Sequence, residues 1–297
     1  MFININMLNK KRDFKVSVII PSRNRIAFLP RAISSVLNQS FAVHEIIIVD
    51  NNSSDKTISF VKKNFNKVKV INEKKIGVSH ARNLGIKNCR YEWIAFLDSD
   101  DEWMRNKIEK QYTFLKKTNF KLKLMHTNET WIKNGLLKNQ KKKHLKKGGF
   151  IFEDCLDICR ISPSSVLISK SLFEKFGLFD TKFKICEDYE LWLRLSSKIE
   201  IGYLNEPLIK KYGGHLGQLS TKYWGLDRYR VKALEKLLTN NYLTYNQKIK
   251  ALNTLFTKID IILLGAINRN NKKIFKMYSK KKFLWRTYYY EHIDKKN

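Results

Sequence analysis

Trp93-Ile94-Ala95-Phe96-Leu97-Asp98-Ser99-Asp100-Asp101 is an apolar run that stops abruptly in carboxylates. Five apolar or aromatic residues without alternation suit a strand buried on both faces, as in a parallel sheet, and Ser99 and the acids end it. In extended chain, residues two apart point the same way. Asp98 and Asp100 are therefore expected to project together from the strand's carboxyl end, where open α/β sheets bind ligands. Two ionised carboxylates at close quarters repel unless a cation sits between them, and hard oxygen ligands select Mg²⁺ or Mn²⁺. The same acids also admit a local reading, with Asp98 and Ser99 as turn and cap residues for a helix beginning near Trp103.

Upstream, the pattern repeats. Val16-Ser-Val-Ile-Ile20 reads as a buried strand ended by Pro21, followed by the polar loop Ser22-Arg23-Asn24-Arg25 and a helix with Leu29, Ile33, Val36 and Leu37 on one face. Glu45-Ile-Ile-Ile-Val-Asp50 is a second strand ending in an acid. Asn51 to Asp55 then form a turn and cap a helix carrying Ile58, Val61 and Phe65 inward. Val68 to Ile71 is a third strand, and Gly77 introduces a helix through Ser79, Ala81, Arg82, Asn83 and Leu84. Four strand-helix alternations predict a parallel sheet wound by right-handed crossovers, with Pro21, Asp50 and Asp98 along one edge. A nucleotide resting there would find Asp50 or Asp98 as acceptors for ribose or base groups, although Asp50 also suits a turn cap. No Gly-x-x-x-x-Gly-Lys-Ser/Thr or Gly-x-Gly-x-x-Gly loop occurs, so phosphate charge is left to a metal and to basic side chains such as Arg82.

The whole chain has 297 residues, 12% of them aromatic and 43% hydrophobic, enough for a sizeable core. Lys and Arg number 58 against 27 acids, a net +31 that calls for an anionic partner or reflects a Lys- and Asn-rich composition. Cys89, Cys155, Cys159 and Cys186 lack paired Cys-x-x-Cys spacing and read as reduced, buried thiols in a cytoplasmic setting. Lys10, Lys11, Arg12 and Asp13 break up any leader-like apolar region, and Ile259 to Ile267 is far shorter than the roughly 20 residues a membrane span needs.

Four segments taken together carry a resemblance. Val18-Ile-Ile-Pro-Ser-Arg-Asn24, Ile47-Ile-Val-Asp-Asn-Asn-Ser-Ser-Asp55, Gly77-Val-Ser-His-Ala-Arg-Asn-Leu-Gly85 and Ala95-Phe-Leu-Asp-Ser-Asp-Asp101 are similar, in order and spacing, to the motifs of family-2 glycosyltransferases. The resemblance implies a GT-A fold, a Rossmann-like and mostly parallel α/β sheet flanked by helices, and an inverting transfer from a nucleotide sugar. It also implies that Pro21, Asp50 and Arg82 line the nucleotide pocket, that Asp98 contacts the ribose side of the donor, and that Asp100 holds the metal, Mg²⁺ or Mn²⁺. Asn51 and Asn52 depart from the Asp-Gly or Asn-Gly frequent in relatives, which bears on the shape of that turn.

Further on, Cys186-Glu-Asp-Tyr-Glu-Leu-Trp-Leu-Arg194 places Glu187 and Asp188 in the first turn of a helix, where the dipole favours acids. It resembles the family's catalytic-base motif, with Asp188 at the base position, able to take the proton of an acceptor hydroxyl. Tyr212 to Ser220 is Gly-rich with one His. By the same likeness, His215 is a candidate third metal ligand or phosphate donor. Met104, Ile108, Tyr112 and Leu115 mark a helix after Trp103, Leu122 to His126 a further strand, and Asn134-Gly135 a hairpin turn. Lys138 to Lys147 holds six lysines and no acid and reads as a loop. The expected organisation is a catalytic domain over residues 1–222, with a donor part (14–126) and an acceptor part (127–222), and a basic helical extension over 223–297. In that extension, basic and aromatic residues interleave from Lys272 onward, which suits either packing on the catalytic domain or peripheral contact with an anionic membrane at its inner face. The implied partners are a nucleotide-sugar donor and a glycan or lipid-linked acceptor. The rival readings are a nucleic-acid-binding protein, motivated by +31 but lacking any recognised module, and a nucleotidyltransferase, which would be expected to carry a glycine-rich loop after its first strand.

Overall fold

The computed structural model describes residues 14–215, 218, 223–240 and 243–293. The basic cluster at Lys10 to Asp13, part of the loop after His215 and the last basic residues, Lys295 and Lys296, lie outside the described residues. Nine strands form a mixed sheet in the order β3-β2-β1-β4-β8-β6-β9-β5, with β7 paired to β6. Strands β1 (Val16–Ser22), β2 (Glu45–Asp50), β3 (Lys69–Asn72) and β4 (Trp93–Phe96) run parallel, as four apolar runs separated by helices require. Beyond β4 the sheet turns mixed: β8 (Leu167–Ser169) is antiparallel to β4 and to β6 (Leu124–Lys133), and β9 (Gly202–Gly213) is parallel to β6.

The absence of alternation in these strands has a direct structural counterpart. Val16, Val18 and Ile20 of β1 pack with Leu29, Ala32, Ile33 and Val36 of α1 (Leu29–Leu37) on one face of the sheet. Ile19 packs with Ala81 and Ile86 of α3 (Val78–Asn88) on the other. Leu37, expected on the buried face of α1, is exposed. Helix α3 comes so close to β1 that a Cβ on Gly85 would stand 2.5 Å from Ile19 Cγ2. Gly85→Ala is therefore expected to destabilise by about 1–3 kcal/mol, read as a lower denaturant midpoint with an unchanged slope.

Several sequence expectations are corrected. Pro21 does not end β1: the strand runs through Ser22, with Pro21 opposite Val49 and Ser22 opposite Asp50. The helix expected after Trp103, with Ile108, Tyr112 and Leu115, is present but starts later, as α4 (Lys107–Lys117), because Glu102–Trp103 form β5, paired antiparallel with Ile209 and Lys210. Met104, assigned to that helix, is exposed outside it. The predicted Asn134-Gly135 hairpin is present between β6 and β7 (Leu136–Lys138), both turn residues having positive φ as a tight hairpin demands. The lysine-rich stretch that follows is not all solvated loop. It contains the end of β7 and a short 3₁₀ turn, and Lys146 is buried 3.3 Å from the Glu129 carboxylate.

Helices α2 (Thr57–Asn64), α5 (Phe152–Asp157), α6 (Lys170–Phe176) and α7 (Glu187–Ser196) complete the sheet layers. Three further helices follow: α8 (Leu226–Thr239), α9 (Tyr245–Asn268) and α10 (Lys272–His292). Val231, Leu234 and Leu237 of α8 and Leu252, Leu255 and Ile259 of α9 belong to the same apolar cluster as Ile19, Phe96 and Trp192. These helices therefore share the core of the sheet. With 24 residues, α9 is long and apolar enough to cross a membrane by length and composition, although the apolar segment read from sequence was shorter than a span; 39% of its most apolar stretch is buried.

Candidate active site

The carboxyl edge of the parallel strands collects the predicted residues. Asp50 at the end of β2 is buried: its Oδ2 accepts from Ser53 N at 3.2 Å, while its Oδ1 has no protein partner. Opposite it in the register, Ser22 Oγ is also buried without a partner. Two orphaned polar atoms at the paired ends of β1 and β2 are what a bound polar group would satisfy. The Asn51 departure leaves that turn well braced, since Nδ2 donates to the Glu73 and Lys75 carbonyls (3.2 and 2.8 Å) and Oδ1 accepts from Gly77 N (2.7 Å).

Asp98 and Asp100 do not project together by strand alternation. β4 stops at Phe96, and a turn closed by Asp101 N donating to Asp98 O at 2.9 Å sends the two side chains to different partners. Asp98 Oδ1 accepts from Arg82 Nη2 at 2.8 Å, and Asp100 Oδ2 lies 2.9 Å from His215 Nε2. Burial and the neighbouring Asp98 charge push the Asp100 carboxyl up from its usual range, against the lowering influence of Arg25 and His215.

Arg82 holds the site together. Its Nη1 donates to Glu187 Oε1 at 2.6 Å while Nη2 holds Asp98, so one buried guanidinium on α3 ties the end of β4 to the first turn of α7. Burial works against that positive charge, but Asp98, Glu187 and Asp188 outweigh it and hold Arg82 protonated more firmly than usual. With both Nη atoms on carboxylates and Nε buried without a partner, Arg82 positions two acids, a role the sequence alone did not suggest. Glu187 is buried. Desolvation and the adjacent Asp188 push it up to about 7, against the pull of Arg82. Asp188 is half-exposed, its Oδ1 accepting from Tyr189 N (2.7 Å) and its Oδ2 from Cys159 Sγ (3.3 Å).

Sequence reasoning missed several groups around this cluster. Asp101 is buried, accepting from Ser164 Oγ at 2.6 Å and Tyr212 N at 3.2 Å, and burial raises its pKa well above the usual value. Ser164 also accepts from Asp98 N at 3.0 Å. Lys211 of β9 is disfavoured by burial, yet Glu129, Asp101, Asp98 and Asp188 together raise it above the usual lysine range. Arg31 donates to Asp100 O at 2.6 Å and stacks on the Tyr212 ring, and Phe28 packs on the His215 ring at 4.7 Å between centroids. Lys211 and Arg31 carry no motif in sequence. Only the crossing of β9 and the start of α1 at this edge brings them in.

Among the described residues, no group of three or more His, Cys, Asp or Glu side chains forms a metal cage. Asp100 and His215 nevertheless fit Mg²⁺ or Mn²⁺, ions that commonly take one or two protein ligands and complete their shell with phosphate oxygens and water.

The family model described as Glycosyl transferase family 2 matches residues 17–177, the span that builds most of this edge. The chain belongs to glycosyltransferase family 2. This family-2 chain is 36% identical over 206 residues to an uncharacterized glycosyltransferase of Rickettsia conorii, a match covering 67% of this chain and 33% of that protein. It thus spans about a third of the length of the first curated relatives it matches. It is 32% identical over 195 residues to the Escherichia coli UDP-Glc:alpha-D-GlcNAc-diphosphoundecaprenol beta-1,3-glucosyltransferase WfgD, covering 65% of this chain and 74% of that one. The GT-A fold is shared with S. aureus TarS in complex with UDP (TM-score 0.61, 19% identity, 83% of this chain and 71% of that chain). It is also shared with the Pyrobaculum calidifontis mannosyltransferase PcManGT in complex with GDP-Man and Mn²⁺ (TM-score 0.61, 14% identity, 93% and 84%).

Proposed function

We propose that this chain transfers a sugar from a nucleoside diphosphate sugar to a hydroxyl of a lipid-linked glycan at the cytoplasmic face of a membrane, with inversion and a divalent metal. The observation that carries the reading is the Arg82 bridge, which ties Asp98 at the end of β4 to Glu187, beside Asp188, at the start of α7. Residues 14–126 form the donor half, with Pro21, Asp50 and Asp98 around the nucleoside, and residues 127–222 the acceptor half. Asp100 and His215 would hold Mg²⁺ or Mn²⁺, which when bound neutralises charge developing on the leaving diphosphate.

Asp188 is the general base. It is the more exposed of the two acids opening α7, and it sits at the N-terminal, positive end of that helix. An acceptor hydroxyl that gives its proton to Asp188 attacks the anomeric carbon from the side opposite the diphosphate, and a single displacement inverts that centre. Glu187 is buried against Arg82 and serves to position its neighbour. The acceptor class is carried over from the E. coli relative, whose name specifies a GlcNAc-diphosphoundecaprenol acceptor.

Thermal unfolding with UDP-Glc, UDP-GlcNAc and GDP-Man, each with and without Mn²⁺, tests the donor and metal assignments. One donor is expected to stabilise the protein by roughly 2.7 kcal/mol at a hundredfold excess over its Kd. That gain should require Mn²⁺, vanish on chelation, and be absent in Asp100→Asn. Absence of any donor-dependent shift, or a full shift in Asp100→Asn, overturns the reading.

A further inference from the structure

Helices α9 and α10 form an antiparallel pair with a buried and an outward side. Ala251, Leu252, Leu255, Ile259 and Ile262 of α9 face the core, leaving Ile261, Leu264 and Ile267 in solvent. On α10 the inward side is fixed by buried Tyr278, by Lys281 Nζ on the Glu235 carboxylate (2.7 and 2.8 Å), by Trp285 Nε1 on the same carboxylate (3.1 Å), and by a Lys282–Asp260 ion pair. At 3.6 residues per turn this leaves Lys272, Lys276, Lys280, Phe283 and Tyr290 on the opposite side, with Phe275 and Arg286 on the flank beside Lys282, toward α9. Phe283 is 70% exposed and Tyr290 58%. The Lys282–Asp260 pair also sets the register between the helices, bringing Ile267 level with Phe275, so the apolar ridge of α9 continues onto α10.

The charges on this side are one-signed. Among the described residues Lys272, Lys276, Lys280 and Arg286 have no acid partner, and Glu291 is the one acid in α10, whereas the inward lysines 281 and 282 are paired. A helix kept in water gains nothing by exposing Phe283 and Leu264, since apolar surface left wet forgoes about 25 cal/mol per Å². An anionic bilayer surface satisfies both features together: headgroup phosphates take the cations, and aromatic rings seat at headgroup depth beneath them.

We propose that the outer face of α9 and α10 docks this protein on an anionic phospholipid surface, with Lys272, Lys276, Lys280 and Arg286 on headgroup phosphates and Leu264, Phe275 and Phe283 inserted beside them. This deepens the lipid-linked acceptor reading and rests on it for its purpose. The binding itself is measured without turnover, so either can fail alone.

The test is flotation of the full chain with phosphatidylcholine vesicles, with and without phosphatidylglycerol. Binding is expected only with phosphatidylglycerol and should weaken as salt rises. Lys276→Gln with Lys280→Gln should lower the partition coefficient roughly thirtyfold, each lysine near an anionic surface contributing about fivefold. Phe283→Ser should lower it further, whereas the equal charge change Lys142→Gln with Lys143→Gln should leave it unaltered. Unchanged melting curves would show that the variants are folded. The proposal is overturned if the chain ignores phosphatidylglycerol or if the two lysine pairs lose binding equally. It is equally overturned if the face instead mediates self-association that Phe283→Ser abolishes, or holds duplex RNA more tightly than vesicles.

Discussion

Arg82→Met is expected to lower stability by roughly 3–5 kcal/mol and to abolish turnover, because it removes the cation paired directly with Asp98 and Glu187. The side chain is 4% exposed, its two ion pairs are 2.8 and 2.6 Å long, and its partners come from the end of β4 and the start of α7. Methionine keeps most of the stem's volume, so packing against the Phe179 ring is largely retained and the loss reports on charge. The unfolding midpoint in urea measures the first effect. A triple variant, Arg82→Met, Asp98→Asn and Glu187→Gln, removes the stranded charges and should recover part of the stability while staying inactive. If Arg82→Met unfolds at the parental midpoint, the bridge does not organise this edge of the sheet.

Asp188→Asn should reduce kcat by about 10²–10⁴ while leaving the Kd for the donor unchanged, the loss expected when a general base is replaced by a group unable to accept a proton. The substitution is close in shape, and an asparagine oxygen can still accept from Tyr189 N, so the start of α7 has no reason to move. Titration of donor binding beside single-turnover transfer separates the two effects. Near-parental kcat in Asp188→Asn would remove the base assignment, and a large rise in donor Kd would move Asp188 to the donor side. Glu187→Gln is the informative contrast: it keeps a hydrogen-bond acceptor toward Arg82 but loses the ion pair, so its cost should fall on stability before chemistry.

Much of the fold was legible because it is written locally. Val16 to Ile20, Glu45 to Asp50 and Trp93 to Leu97 are continuous apolar runs with helical spacing between them, and each became a strand packed on both faces. The errors fall where a distant segment overrides local preference. Glu102 and Trp103 sit in an amphipathic-looking stretch but become strand, because β9 arrives from more than a hundred residues away to pair with them. Lys146 lies in a run that reads as solvated, yet Glu129 draws it inside. The apolar stretch of α9 was read as too short because Asp260 interrupts its pattern, and the partner that accommodates that acid, Lys282, lies on the next helix.

The sequence by itself determined which strands end in acids and which residues head α7, because side-chain periodicity and capping are properties of a few neighbouring residues. Only the tertiary structure decided that Asp98 turns to Arg82 and Asp100 to His215, that Glu187 is the buried partner and Asp188 the half-exposed one, and that Lys211 and Arg31 join them. The physical reason is distance along the chain. Arg82 and Glu187 are 105 residues apart, and no local pattern encodes an ion pair that exists only once two helices and a sheet edge have been packed around it.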